Sequence, residues 1–340
     1  MRAIIADESY KAGWDKAVYT YPGAISWHFY DWYKMIAAHH PVKYYPIAAC
    51  EGDDVVGVLP LYRLKTMRGG EMLISIPYFV AGGIVAGSAE AKAVILDKAI
   101  EISKELGSLP IILKQYSIPV ESDSLVTDTS YFNLELNLSV GVEKVYNDLD
   151  ERNKQQIRDS EKWNLVFEYP SSDIKGYYRI LVDHHHRAGI PYPSRGWVNS
   201  LIADTYDIAL LKLDGKIVAA TLAKKFKDSI SFPLTALGSD SEESMTFAYR
   251  LYWELLKRQI EDGVRIFHSG RIPNNNDVPA YRLGWGGEHH GYYYQYFGYG
   301  GKTESENKGG EGRGRFETLW KKVPKPITSL VNPYLVRQFP

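Results

Sequence analysis

The sequence predicts an α/β (α+β) chain in which one domain plan, a mixed and mostly antiparallel sheet flanked by helices, occurs twice in tandem. Three observations carry this reading. Ser75-Ile-Pro77, Gly82 and Gly107 return as Ser231-Phe-Pro233, Gly238 and Gly263, each 156 residues later. Around those anchors both halves show the same order of hydrophobic patterns: hairpin, strand, helix, strand. The length, 340 residues, also exceeds the usual size of one compact core.

The elements follow in order. Tyr45 to Cys50 and Val55 to Leu64 are apolar, strand-like runs about Glu51-Gly-Asp-Asp54, a hairpin turn signal. Ile208 to Leu213 and Lys216 to Phe226 repeat the pattern about Asp214-Gly215. Ala91 to Leu106 carries apolar residues near helical spacing and stops at Gly107; its counterpart, Met245 to Asp262, stops at Gly263. Each helix feeds an apolar strand, Pro110 to Leu113 and Val264 to Phe267. Between the halves, Glu143 to Trp163 is helical and charge-rich and reads as a solvated connector. The expected domains are 1–145, 146–300 with that linker helix leading it, and a tail over 301–340.

Composition excludes several classes. Forty basic against 41 acidic residues leave a formal charge of −1, so no global basic field recruits nucleic acid or an anionic membrane. Cys50 is the single cysteine, which excludes an intramolecular disulfide framework and fits a reducing compartment. The opening Met1-Arg-Ala-Ile-Ile-Ala-Asp-Glu reaches acidic groups too soon for a signal peptide, and the apolar run from Leu73 to Ala86 is broken by Pro77, Gly82 and Gly83. The expectation is a cytoplasmic protein with no transmembrane segment. Tyrosine, at 26 copies, suits half-buried strands and clefts for extended polar substrates.

His184-His-His186 does not make a metal site, because helical neighbours point roughly 100° apart; no metal is expected. Neither a Gly-x-Ser-x-Gly elbow nor a phosphate-cradling glycine loop ending in Lys-Ser or Lys-Thr is present, which removes support for hydrolases and phosphotransferases. Gly238-Ser-Asp-Ser-Glu-Glu-Ser244 enters the second long helix, where free backbone N–H groups could hold a phosphate, although Glu242 and Glu243 fit simple capping as well. The stretch Gly263 to Arg271, followed by Ala280 to Glu288, sets His268, Arg271 and Arg282 beside a strand end and glycine-loosened backbone. Arginine there can grip a carbonyl oxygen or carboxylate without a metal, and a histidine can move a proton near neutral pH.

Tyr177-Tyr-Arg-Ile-Leu181, Gly189-Ile-Pro-Tyr-Pro193, Tyr252-Trp-Glu-Leu-Leu256 and Ser269-Gly-Arg271 together resemble the FemAB-like branch of the GNAT acyltransferase superfamily. Val56-Gly-Val-Leu-Pro-Leu61, Gly82-Gly83 and the linker from Arg152 to Lys162 extend the resemblance through the first half. The tail, Leu319 to Pro326 with Asn332-Pro333, is similar to FemAB-type proteins associated with PEP-CTERM and exosortase systems, which carry a BioF2-like acetyltransferase domain.

The resemblance implies tandem duplicated GNAT-like domains and transfer of an acyl or aminoacyl group from acyl-CoA or aminoacyl-tRNA, as co-substrate, to an amine acceptor. That acceptor would be a small molecule or a peptidoglycan or polysaccharide precursor, with no tightly bound cofactor. The aromatic-Lys and aromatic-Gly pairs of the Fem motif fall on Tyr281-Arg282 and Trp285-Gly286, so arginine stands where the family has lysine. Catalytic roles are assigned to Arg282 and His268, substrate binding to Arg271, Tyr281, Trp285, Tyr192 and Glu288, and the donor side to Gly238, Ser239, Ser241 and Ser244. An acetyl-CoA-dependent N-acetyltransferase and a non-catalytic binding module on the same fold remain open beside an aminoacyltransferase.

Overall fold

The computed structural model describes residues 1–65, 70–274, 283–300, 319–325, 328, 331–332 and 335. The chain divides into two compact units, one from Met1–Phe132 with the segment that begins at His290, the other from Asn133–His289 with the segment around Trp320.

The first repeat runs β1 (Arg2–Ile5), α1 (Lys11–Thr20), α2 (Trp32–His39), β2 (Lys43–Glu51), β3 (Asp54–Lys65), β4 (Glu71–Ser75), β5 (Val85–Ala86), α3 (Ala89–Glu105), β6 (Ile111–Tyr116) and β7 (Val126–Asn137). Next come α4 (Val142–Asp148) and α5 (Glu151–Asp159). The second repeat runs β8 (Leu165–Ser171), α6 (Ile174–Ala188), α7 (Arg195–Ala203), β9 (Tyr206–Leu213), β10 (Lys216–Phe226), β11 (Ser229–Ser231), β12 (Ala236–Leu237), α8 (Glu242–Glu261), β13 (Ile266–His268), β14 (Ile272–Pro273) and β15 (Glu288–Phe297).

The two pairing schemes are the same. In the first unit β1-β2-β3-β4 is antiparallel throughout, β4 runs parallel to β6, and β5 pairs β3. In the second unit β8-β9-β10-β11 is antiparallel, β11 runs parallel to β13, and β12 pairs β10. This is the duplicated α/β architecture that the 156-residue offset predicts. Sequence patterning marks Tyr292 to Tyr296 as a strand but did not reveal which strand pairs with β6 or with β13. In the first unit β6 pairs with β15, from late in the chain, while in the second unit β13 pairs with β7, from its middle.

One long helix covers each sheet. α3 starts at Ser88, whose hydroxyl accepts the Ala91 N–H, and packs Ile95, Ala99 and Ile102 on Ile47, Leu59, Leu61, Ile111 and Leu113. α8 packs Phe247, Leu251, Leu255 and Leu256 on Ala209, Leu211, Ala219 and Phe267. Small alanines on the sheet let the helix approach closely, and each buried leucine contributes about 2 kcal/mol. The charged connector is corrected. The stretch breaks at Asp150, whose carboxylate accepts the Asn153 N–H and restarts the helix, and Val145, Leu149 and Ile157 enter the core of the second unit. Its charged residues are mostly exposed, while these apolar ones turn inward.

Both long helices end on a left-handed glycine, Gly107 at φ +88° and Gly263 at φ +80°, with its N–H bonded to Lys104 O and Ile260 O respectively. A Cβ at either position would meet nothing within 4 Å, so alanine there costs only backbone strain, about 1 kcal/mol. Gly107→Ala and Gly263→Ala should therefore lower stability by similar, small amounts in urea unfolding. A loss several-fold larger at one site would show that its glycine does more than end a helix.

Candidate functional site

The candidate site forms where β13 runs out beside β7. Their antiparallel register sets Phe267 against Leu136 and His268 against Glu135. Leu136 and Phe267 point into the core of the second unit, so by the two-residue period of a strand Asn133, Glu135 and His268 share the opposite face. Glu135 Oε1 lies 3.5 Å from His268 Nδ1, and both side chains keep about a fifth to a quarter of their surface open, at 19% and 24%.

Asn133, fully buried, ties the strand end together. Its Oδ1 accepts the Gly270 N–H at 3.0 Å and faces the Ser269 hydroxyl at 3.4 Å, while its Nδ2 lies 3.1 Å from His268 Nδ1. Ser269 completes the clasp: its N–H donates to Leu134 O at 3.0 Å and its Oγ accepts the Leu134 N–H at 2.9 Å. Gly270 then turns the chain at φ +80°, a left-handed position that suits glycine, and Arg271 follows with an exposed side chain. Sequence reasoning singled out His268 and Arg271 as candidates but not Asn133 and Glu135, which the structure sets beside His268. Their only signal was the alternation Asn133-Leu-Glu135-Leu-Asn137 along β7, polar on one face and apolar on the other.

The first unit shows the same face in another chemical state. Ile112, 156 residues before His268, faces Tyr296, and Lys114 faces Tyr294. All four are buried, the Lys114 ammonium donates to Phe79 O at 3.0 Å, and the Tyr294 hydroxyl donates to Val80 O at 2.9 Å. That copy is committed to packing. In the second unit the face is polar and partly open.

Arg282 and Tyr281 lie outside the described residues. Trp285, expected as substrate-binding, is 5% exposed and packs between Tyr249 and Tyr252, with ring centroids 5.9 Å from each, so it is a core residue. Tyr192, also expected at substrate, is 3% exposed, and its N–H donates to Asn332 Oδ1 at 2.9 Å. Glu288 is exposed at the start of β15. Around Gly238 the polar groups satisfy one another: its N–H donates to Val218 O, and Ser239 Oγ lies 2.6 Å from Ser244 Oγ and 3.0 Å from Ser241 Oγ. Glu243, in the first turn of α8, is held below the usual carboxylate range by the Ser241 hydroxyl and its own backbone N–H. The chain thus places its own anion at this helix start.

No protein-family model and no curated protein matches the sequence. Solved structures do. FemX superposes with a TM-score of 0.68 at 14% identity, covering 87% of this chain and 97% of that one. The fold is FemX-like. L-PGS from Bacillus licheniformis gives a TM-score of 0.55 at 12% identity over 87% of this chain and 89% of its own. A tandem GNAT protein from the clavulanic acid biosynthesis pathway gives 0.53 at 10% identity, covering 86% and 97%. Likeness to FemX and to a tandem GNAT protein accords with the duplicated GNAT-like plan. Among the described residues no helix is long and apolar enough to cross a membrane, and no group of three or more His, Cys, Asp or Glu is placed to hold a metal ion.

The histidine run on α6 disperses as its spacing requires. His186 Nε2 pairs with Val323 O at 2.9 Å, while His185 is buried and its Nδ1–H donates to Leu181 O at 3.0 Å. Burial pushes the His185 ring down to about 4, so the unfolded chain takes up a proton below its ordinary value near 6.5 that the folded chain refuses. Stability from this ring is complete above about 6.5 and falls as pH drops toward 4. Burial also lowers His184, which adds to the same trend. His185→Gln should flatten the fall, and urea midpoints at pH 7.5 and 4.5 measure it. An equal fall in variant and wild type would refute the assignment.

Proposed function

We propose that this protein is an N-acyltransferase whose chemistry is carried by the β7–β13 face of the second unit. Carrying the reading is the contrast between the two repeats: the same strand face is sealed with Ile112, Tyr294 and Tyr296 in one and presents His268 and Glu135 beside a buried asparagine clasp in the other. A face with only a structural role would have no need to give up apolar packing for partly open, facing polar groups. The FemX-like fold, with the Fem resemblance of the sequence, supplies the reaction class: an amine attacks an activated ester or thioester directly, helped by positioning, a proton acceptor and donors to the developing oxyanion.

An aminoacyl ester carried by tRNA is the first donor to consider, as the Fem resemblance implies, and acyl-CoA the second. The start of α8 supports that order, because Glu243 sets a negative charge in its first turn and the serine hydroxyls bond one another, neither of which suits a pyrophosphate. The acceptor is an amine on a cell-envelope or exopolysaccharide precursor. His268 and Arg271 act on the acyl group and acceptor, Arg282 adds a fixed cation for the oxyanion, and the reaction takes place in the cytoplasm.

The test is a mass-spectrometric screen of the full-length protein with aminoacyl-tRNA and acyl-CoA donors against amino-sugar and peptide amines. One donor–acceptor pair should gain the acyl mass, and His268→Ala should slow that turnover about 100-fold or more with the melting temperature kept. Saturable acceptor binding with no product from any donor would replace the transferase with a binding module.

A further inference from the structure

The geometry points to a division of labour at the candidate site: Asn133 is a positioning residue that holds neutral His268 with its proton on Nε2. The ring is then a hydrogen-bond donor to the acyl oxygen, and Glu135 is the proton acceptor. This role rests on the transferase reading above, but the tautomer does not.

The orientation of the Asn133 amide settles the matter. A backbone N–H can only donate, so the atom that meets Gly270 N at 3.0 Å must be the amide oxygen, which the Ser269 hydroxyl also faces at 3.4 Å. The NH₂ end therefore faces His268 Nδ1, at 3.1 Å. Turning the amide over would set NH₂ against the Gly270 N–H and leave that donor unpaired, at a cost of about 1–3 kcal/mol. With an N–H donated into it, Nδ1 presents its lone pair, and the ring proton of the neutral form resides on Nε2. Glu135 competes at the same nitrogen and would draw the proton to Nδ1. Its oxygen stands 3.5 Å away, beyond the roughly 2.7–3.2 Å of a formed N–H···O bond, whereas the asparagine contact lies within it.

A histidine held this way cannot take a proton at Nε2. In the transfer step the acceptor nitrogen forms its bond to the acyl carbon, and the carbon–oxygen bond of the ester, or carbon–sulfur bond of the thioester, breaks. The bonding pair leaves with that oxygen or sulfur. The amine proton passes to the Glu135 carboxylate, while His268 Nε2–H bonds the oxygen that gathers negative charge in the tetrahedral intermediate.

The experiment is a long-range ¹H–¹⁵N correlation spectrum of the full-length ¹⁵N-labelled protein at pH 7.5, with the His268 ring found by its loss in His268→Gln. The expected result is one protonated nitrogen, Nε2. In Asn133→Asp, where an acceptor replaces the amide donor, the proton should move to Nδ1, and kcat should fall about 100-fold with KM within about twofold, the cost of losing one oxyanion donor. Glu135→Gln should lower kcat while leaving the tautomer in place. A wild-type ring protonated on Nδ1, or on both nitrogens, would overturn the proposal even if Asn133→Asp failed to fold. Failure of the donor screen would strike the transferase reading alone, because the spectrum needs no substrate.

Discussion

A three-residue strand with neighbours on both sides must have its backbone groups satisfied from two directions, and β13 meets this condition with β11 on one side and β7 on the other. This constraint fixes the site. Because the β7–β13 register sets Leu136 against Phe267, Glu135 must stand against His268, and a slip of one residue would turn every polar group of β7 into the core. The core, by accepting Leu136 and Phe267, selects the register, and the register brings together side chains more than 130 residues apart in the chain.

The duplication clarifies what the site adds to the fold. Both units carry the same ladder order and a long helix ending on a left-handed glycine, so those features belong to the scaffold. Where the copies differ is the face of the last strand pair. In the first unit Lys114 is spent on loop carbonyls among aromatic neighbours, which rigidifies the segment after β4. In the second, Gly270 and Ser269 replace bulk with backbone N–H and hydroxyl groups that Asn133 and Leu134 gather. A sealed copy beside an open one lets a polar face persist without risking the whole scaffold, since hydrophobic burial in each unit is supplied by its own helix and sheet.

Much of the scaffold was legible because its signals are local. The turns at Gly52 and Gly215 and the stops at Gly107 and Gly263 need a backbone conformation that few other residues supply, so composition and conformation agree. The partners of β7 and β15 were not legible: alternation identifies a strand but says nothing about which edge it will join. Asn133 and Glu135 were missed for that reason, despite their regular spacing. Trp285 misled for the opposite reason. Its place on the aromatic-Gly pair of the Fem motif implied contact with substrate, yet Tyr249 and Tyr252, one turn apart on α8, hold it in the core. The connector was misread because charge dominates its count, while the few apolar positions at helical spacing decide where it packs.

The site also shows how little energy is needed to choose a chemical role. The two neutral forms of an imidazole lie close together, so a hydrogen bond from a neighbour can decide between them. Here the neighbour is an amide that could face either way, and its direction is set by one backbone N–H from Gly270, which is held in turn by the end of β13. The chain of cause runs from core packing to register, from register to the Gly270 N–H, from that N–H to the amide, and from the amide to the ring proton. Each hydrogen-bond link in it is worth only about 1–3 kcal/mol. Their order is what matters: a substitution at Asn133 can exchange a hydrogen-bond donor for an acceptor at the imidazole while leaving the Leu136–Phe267 packing, and hence the fold, in place.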